Sequence, residues 1–298
     1  MHGHVRITDV SPRDGLQNEP GIIPTADKAR LVELLCRTGV DEIEVSSFVP
    51  APWIPQLGDA AELFALLAGN RGDAPLFSAL VPNERGMRAL LEVNARAGKG
   101  LIGKASVFAA ASETFSRKNT NGSIDEVLAR FPPVIALAKA NGLAVRGYVS
   151  CAVACPFEGP VAPARAAEVS RRLADLGVDE IDLGDTIGAA TPESTRALLE
   201  AHAGIGPSIT LHLHDTFGRA ALCVREALAC GVRSFDGAAG GLGGCPYAGS
   251  AGRRALGNID TRALVNAVRE AGYACGVEDD RLADAASFAR SLRGKGAA

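Results

Sequence analysis

Residues 163–183 read PARAAEVSRRLADLGVDEIDL. A helix is predicted over 163–175. Gly177 stands just past its last turn, where a left-handed residue ends a helix cheaply. A short β run follows at 180–183. Helix and strand joined by a few residues make half of a βαβ unit. Outward from here the alternation recurs about eight times, the pattern of a parallel sheet with crossover helices. The predicted strands are 6–10, 42–46, 76–80, 103–107, 145–150, 180–183, 210–214 and 234–238. The predicted helices lie near 25–37, 59–67, 83–96, 124–140, 163–175, 192–202, 218–229 and 261–271. Thr25, Ser123 and Thr191-Pro192 suit helix starts. Gly39, Gly142 and Gly231 follow the ends of others.

Eight such units predict the α/β class and a closed (β/α)₈ TIM barrel. They are read as one catalytic domain over 1–298, with 277–298 an extra helix outside the repeat. The competing architecture is an open doubly wound sheet. That fold usually carries a glycine-rich dinucleotide fingerprint after its first strand. Here Ser11-Pro12-Arg13-Asp14-Gly15 stands in that place.

Of the 298 residues, 47% are hydrophobic and 22% charged, ordinary values for a globular chain. The 31 Lys+Arg against 34 Asp+Glu give a formal net charge of -3. That balance offers no footprint for nucleic acid or a membrane surface, so an anionic substrate needs a local pocket. No run approaches the roughly 20 apolar residues of a membrane span. The opening Met1-His2-Gly3-His4-Val5-Arg6 is too polar for a signal peptide. The seven Cys are odd in number and scattered, which reads as reduced thiols and a cytoplasmic location.

In a barrel, catalytic groups sit at the C-terminal ends of the strands and in the loops that follow. Strand 7 ends Leu211-His212-Leu213-His214-Asp215. Residues at i and i+2 face the same way, so both imidazoles point inward and suit one shared cation. His2-x-His4 has the same spacing at the wrong end of strand 1 and is read as nothing. His202, on a helix, is expected to be solvated. Asp14 reads as an oxygen ligand for a hard cation, and Arg13 as a group that stabilises an oxyanion. The competing reading of the same pair is a turn with a surface arginine. Glu44 alternates with Ile43 and Val45, so it faces inward and needs a partner, for which Arg13 is the natural candidate. Asp185 lies past strand 6 at the mouth, while Asp182 reads as a second inward carboxylate.

After strand 8 comes Gly240-Gly241-Leu242-Gly243-Gly244-Cys245-Pro246-Tyr247-Ala248-Gly249. Glycine density of this kind suggests a lid carrying the Cys245 thiol, available as acid, base or nucleophile. The alternative is a phosphate-binding loop with an incidental cysteine. Asn258 reads either as a cap for the last barrel helix or as an amide oxygen for the metal. Cys151 and Cys155 have zinc-like spacing but no second pair, and are read as small pocket-lining residues.

Taken together, these residues resemble the 3-hydroxy-3-methylglutaryl-CoA lyases, within the larger group of metal-dependent barrel lyases and aldol-type synthases. The matching segments are Ser11-Pro12-Arg13-Asp14-Gly15-Leu16-Gln17-Asn18-Glu19, Ser46-Ser47-Phe48-Val49 with Trp53-Ile54-Pro55-Gln56, Arg146-Gly147-Tyr148-Val149-Ser150-Cys151, Leu183-Gly184-Asp185-Thr186-Ile187-Gly188, His212-Leu213-His214-Asp215-Thr216 and Gly243-Gly244-Cys245-Pro246-Tyr247-Ala248. Arg-Asp and His-x-His alone mark only the larger group; the Gly-Gly-Cys-Pro-Tyr loop points to the lyase branch.

The resemblance implies that Asp14, His212, His214 and Asn258 bind Mg²⁺ or Mn²⁺. It implies that Arg13 steadies an enolate, that Glu44 orients Arg13, and that Cys245 transfers a proton. Gln17 and Asp185 look like mouth residues of the same site. The implied partner is an acyl-CoA substrate, cleaved by retro-aldol chemistry with His212 or Asp185 as base. A homodimer is implied by the resemblance only. Two departures stand out. The 248–258 segment is a few residues longer than usual and brings in Arg253 and Arg254. Arg262 replaces a usually acidic residue. Both are expected at the mouth and point to a larger 3-alkyl substituent as the competing substrate. A condensing enzyme joining acetyl-CoA to a 2-oxo acid and an inactive binding protein are the remaining functions compatible with this fold and residue set.

Overall fold

The two faces of each central strand carry different chemistry. In Glu42–Ser47 (β2) the apolar Ile43 and Val45 alternate with Glu42 and Glu44, and all six residues are buried. Such a strand needs apolar cover on one side and polar enclosure on the other, which a closed sheet wrapped in helices supplies. The computed structural model describes residues 2–69, 75–98, 100–244 and 257–295. Around β2 run Arg6–Asp9 (β1), Leu76–Leu80 (β3), Lys104–Ala110 (β4), Ala144–Ser150 (β5), Glu180–Asp185 (β6), Ser208–Leu213 (β7) and Ser234–Gly237 (β8). They form a closed, all-parallel barrel in chain order. Each strand lies within three residues of its expected bounds.

The apolar core lies outside this ring. Ile7, Ile43, Phe77, Val107, Val145, Ile181, Leu211 and Phe235 of the strands are buried together with Leu31, Leu90, Val134, Leu173, Val224 and Leu264 of the surrounding helices. Burial of side chains of this size contributes about 1.5–3 kcal/mol each. Inside the ring, the usual branched aliphatic layers give way to charge. Lys104 Nζ reaches Glu42 at 2.5 Å and Glu180 at 2.6 Å. Arg146, wholly buried, reaches Glu180 at 2.8 Å and Glu42 at 3.3 Å, and donates to Thr8.

The helices are Thr25–Leu35 (α1), Ala60–Leu67 (α2), Glu84–Arg96 (α3), Glu113–Thr120 (α4), Ile124–Leu128 (α5), Phe131–Ala140 (α6), Pro163–Asp175 (α7), Pro192–Ala201 (α8), Ala220–Ala229 (α9), Thr261–Glu270 (α10) and Asp279–Ser291 (α11). The single helix expected over 124–140 is two, because Pro132 and Pro133 have no N–H to continue the ladder. Ser123 starts the first of them with a reciprocal cap to Glu126. The extra helix expected after 277 is α11, packed against α1 and the turn Ala239–Gly241.

His202 corrects an expectation. Far from solvated, it is 4% exposed, with Nε2 2.9 Å from Ser170 Oγ and Nδ1 2.7 Å from the Leu198 carbonyl. It sits at the end of α8, on the inner side of that helix, so a helical position alone does not decide exposure. His4 pairs with Asp41 at 2.8 Å, at the N-terminal end of the barrel and away from the mouth. No helix among the described residues is long and apolar enough to cross a membrane.

Candidate active site

The wide helical turn Ser11–Gly15 carries the chain off the end of β1. It buries Arg13 above the barrel, where the Nε–H donates to Glu44 Oε2 at 2.6 Å and Nη2 lies 2.5 Å from the same oxygen. Nη1 donates to Asp14 at 2.8 Å. Burial works against the guanidinium charge, but the carboxylates of Glu44 and Asp14 outweigh it and raise its pKa further. The inward carboxylate expected on β2 thus meets the partner expected for it.

His212 and His214 project from the end of β7 with their Nε2 atoms 3.3 Å apart. His212 Nε2 lies 3.9 Å from Asp14 Oδ2. Ligand atoms of Asp14, His212 and His214 all fall within 4.8 Å of one another. Neighbouring ligand atoms around a small divalent cation are about 3 Å apart, so modest closure seats an ion here. Against the cost of burial, Arg13 and both imidazoles hold Asp14 well below the usual carboxylate range. Burial and the neighbouring His212 push His214 down to about 4, which keeps it neutral and free to ligate.

Asn258 joins this group in spite of the long preceding loop. An antiparallel bridge pairs it with His214, and Ile259 N–H donates to the Leu213 carbonyl. Its Nδ2 donates to Asp14 Oδ2 at 2.8 Å and to the Leu242 carbonyl at 3.0 Å. Its buried Oδ1 has no partner among the described residues. One carboxylate, two imidazoles and a spare amide oxygen fit a divalent cation that takes mixed oxygen and nitrogen ligands. Gly243 leaves room for this cluster: a Cβ there would lie 2.6 Å from Asn258 Nδ2 and 3.4 Å from Asp14 Oδ2.

Arg13, Asp14, His212 and His214 line one cavity of about 500 Å³. Gln17, Tyr148, Trp53, Lys118 and Arg130 line it as well, and Leu80, Phe108, Phe115, Val127 and Phe131 give it an apolar wall. Gly244 also lines it, so the glycine run leaves the barrel at the cavity. Cys245, Arg253 and Arg254 lie outside the described residues. Arg262 does not line the cavity. It is exposed in the first turn of α10, its N–H held by Asp260, so its expected place at the acyl group is corrected.

Asp185 is 2% exposed, and its oxygens accept the N–H groups of Ala189 and Ala190 at 2.9 Å. Burial pushes it up to about 6. Asp182 faces inward, as its alternation with Ile181 and Leu183 implies, and burial beside Asp236 raises it well above the usual range. Cys151 and Cys155 are buried thiols packed with Ala110 and Phe115.

Two residues of the site escape the strand-end reading. Asp236 holds His212 Nδ1 at 3.1 Å. Tyr148 Oη lies 3.2 Å from Glu44 Oε2 and 3.4 Å from Asp236 Oδ2. The alternation of Phe235 and Asp236 carries the same signal that singles out Glu44.

A family model described as HMGL-like matches residues 4–289. The chain belongs to the HMGL-like family. Among HMGL-like relatives, the hydroxymethylglutaryl-CoA lyase of Pseudomonas mevalonii is 44% identical over 94% of this chain and 89% of its own length. The 3-hydroxy-3-isohexenylglutaryl-CoA/hydroxy-methylglutaryl-CoA lyase of Pseudomonas aeruginosa is 42% identical over 98% and 93%. The crystal structure of the HMG-CoA lyase from Brucella melitensis superposes with a TM-score of 0.89 at 45% identity, covering 98% of this chain and 99% of that one. HMGL-like membership at this coverage places the whole barrel, not a fragment of it, in the family.

Proposed function

We infer that this chain is a carbon–carbon lyase that cleaves 3-hydroxy-3-methylglutaryl-CoA to acetyl-CoA and acetoacetate. The observation that carries the reading is the Arg13–Glu44 pair fixed beside Asp14, His212 and His214 at the C-terminal mouth of the barrel. Relatives at 42–44% identity bear that activity in their names. Asp14, His212, His214 and Asn258 would hold a Mg²⁺ or Mn²⁺ ion, which would supply Lewis acidity to lower the pKa of the substrate's hydroxyl.

The chain's own groups do the rest. Arg13 donates to the enolate oxygen that develops as the bond breaks, and the Glu44 and Asp14 carboxylates keep its fork aimed there. Both ring nitrogens of His212 are committed, one to the cation site and one to Asp236, which leaves Asp185 as base. Each Asp185 oxygen keeps a second lone pair beyond its backbone bond, and a pKa near 6 suits a base working near neutrality. Cys245 is assigned the proton returned to the enolate carbon. Gln17 and the apolar wall orient the acyl group. One catalytic domain, a homodimer and a cytoplasmic location complete the proposal.

A second reading keeps the mechanism and lengthens the 3-alkyl group. It rests on the apolar wall of Leu80, Phe108, Phe115, Val127 and Phe131 and on the isohexenyl substrate in the name of the Pseudomonas aeruginosa relative. One assay decides between them. Metal-reconstituted protein is offered the methyl and a longer 3-alkyl substrate in competition, with chelator and Cys245→Ala controls. Preferential release of acetoacetate supports the first reading and preference for the longer acid the second. No cleavage of either overturns both.

A further inference from the structure

We propose that Asp236 is a positioning residue that fixes which nitrogen of His212 faces the cation, an inference that rests on the cation site proposed above. The pair is set by strand register. His212 and Asp236 are direct neighbours across the β7–β8 pairing, so both side chains turn inward at one level of the barrel. Asp236 Oδ2 lies 3.1 Å from His212 Nδ1. A carboxylate only accepts, so Nδ1 carries the proton and Nε2 presents a bare lone pair toward Asp14 and His214. Asp236 is itself held on its other side. Its Oδ1 lies 3.6 Å from Arg146 Nη1, and the Tyr148 hydroxyl lies 3.4 Å from Oδ2. It is 2% exposed, so no water competes for the imidazole from that face. Among the described residues, His214 has no carboxylate on its Nδ1. The control of tautomer is therefore specific to His212.

The wiring around Asp236 makes Asp236→Asn informative. The Arg146 guanidinium stands 3.6 Å from Oδ1, and its positive charge draws the variant's amide oxygen, so the NH₂ group faces His212. An NH₂ opposite Nδ1 reverses the tautomer and puts N–H where the ion needs a lone pair. Titration of the intact chain with Mn²⁺, followed by electron paramagnetic resonance of the free ion, reads this without reference to turnover. Asp236→Asn is expected to weaken Mn²⁺ binding about 10–100-fold, the range for loss of an outer carboxylate. Asp182→Asn alters a second buried carboxyl of the same cluster and leaves the His212 acceptor in place. It is expected to bind Mn²⁺ within about threefold of the parent.

The parent gives an independent readout should Asp236→Asn fail to fold. The ¹⁵N shifts of His212 in metal-free protein, read at a pH high enough that the ring is neutral, are expected to report Nδ1–H and an unprotonated Nε2. An Nε2–H tautomer in the parent, parental affinity in folded Asp236→Asn, or equal losses in both variants would each overturn the proposal. Absence of Mn²⁺ binding by the parent would overturn the cation site itself and this inference with it.

Discussion

Replacing Glu44 by Gln tests the arginine clamp at almost constant volume. Arg13 spends two donors on one Glu44 oxygen, at 2.6 and 2.5 Å, in a pocket where Glu44 is wholly buried. A hydrogen bond to a charged group contributes about 1.5–3 kcal/mol and a neutral one about half as much. Two bonds each losing half their strength predict about 1.5–3 kcal/mol of lost stability, read from urea midpoints. The same change releases one side of the Arg13 fork, leaving Asp14 as its carboxylate partner. Misplacement of a catalytic group by about 1 Å costs about 100-fold, so kcat is expected to fall by that order with KM little changed. Removing the partner altogether, as in Glu44→Ala, costs more, about 3–5 kcal/mol. A Glu44→Gln protein with parental urea midpoint and kcat within about twofold would refute the claim that this carboxylate sets the arginine.

Asp185 predicts a pH signature. A carboxyl with a higher pKa folded than unfolded favours the folded state while protonated, and that contribution is lost as pH rises from about 4 through about 6. The stability of the parent relative to Asp185→Asn should therefore fall by about 2–3 kcal/mol between about pH 4 and pH 7; a difference independent of pH would contradict the assigned shift. Gly243 has φ +104 and no room for a Cβ beside Asn258, so Gly243→Ala should cost about 1 kcal/mol or more in stability. It should also weaken Mn²⁺ binding, and unchanged affinity in a calorimetric titration would count against Asn258 as a ligand. Chelation should abolish turnover and remove about 2.7 kcal/mol of the stability present at an ion concentration about 100 times its dissociation constant. A melting temperature indifferent to chelator would deny the ion a folded-state site.

The barrel is legible in the sequence because its signals are local. Strand and helix alternate, and proline and glycine punctuate the helix ends. Much of the site is legible for the same reason: His212 and His214 share a strand face, and Glu44 alternates with apolar neighbours. Expectation fails where exposure depends on what packs from elsewhere in the chain. His202 has the pattern of a surface residue until Ser170, 32 positions away, meets it. Asp236 escapes notice because its partner is on another strand, although its pattern matches that of Glu44. The split at Pro132 is readable from the two prolines alone. Arg262 is misplaced by the sequence because a helix start near the mouth need not face the cavity.

The charged interior of the barrel has a consequence for how this chain can change. Lys104 serves Glu42 and Glu180 together, and Arg146 joins strands 34 to 138 residues apart in the chain. Exchanging any one of these residues for a hydrophobe strands a charge on a strand that the exchange did not touch, at about 3–5 kcal/mol. The strands are therefore poor units for recombination between homologous barrels. A β2 taken from one parent is tolerated only with the β4, β5 and β6 that balance its Glu42, so crossover points that keep 42–185 intact should yield folded chimeras more often than points inside it.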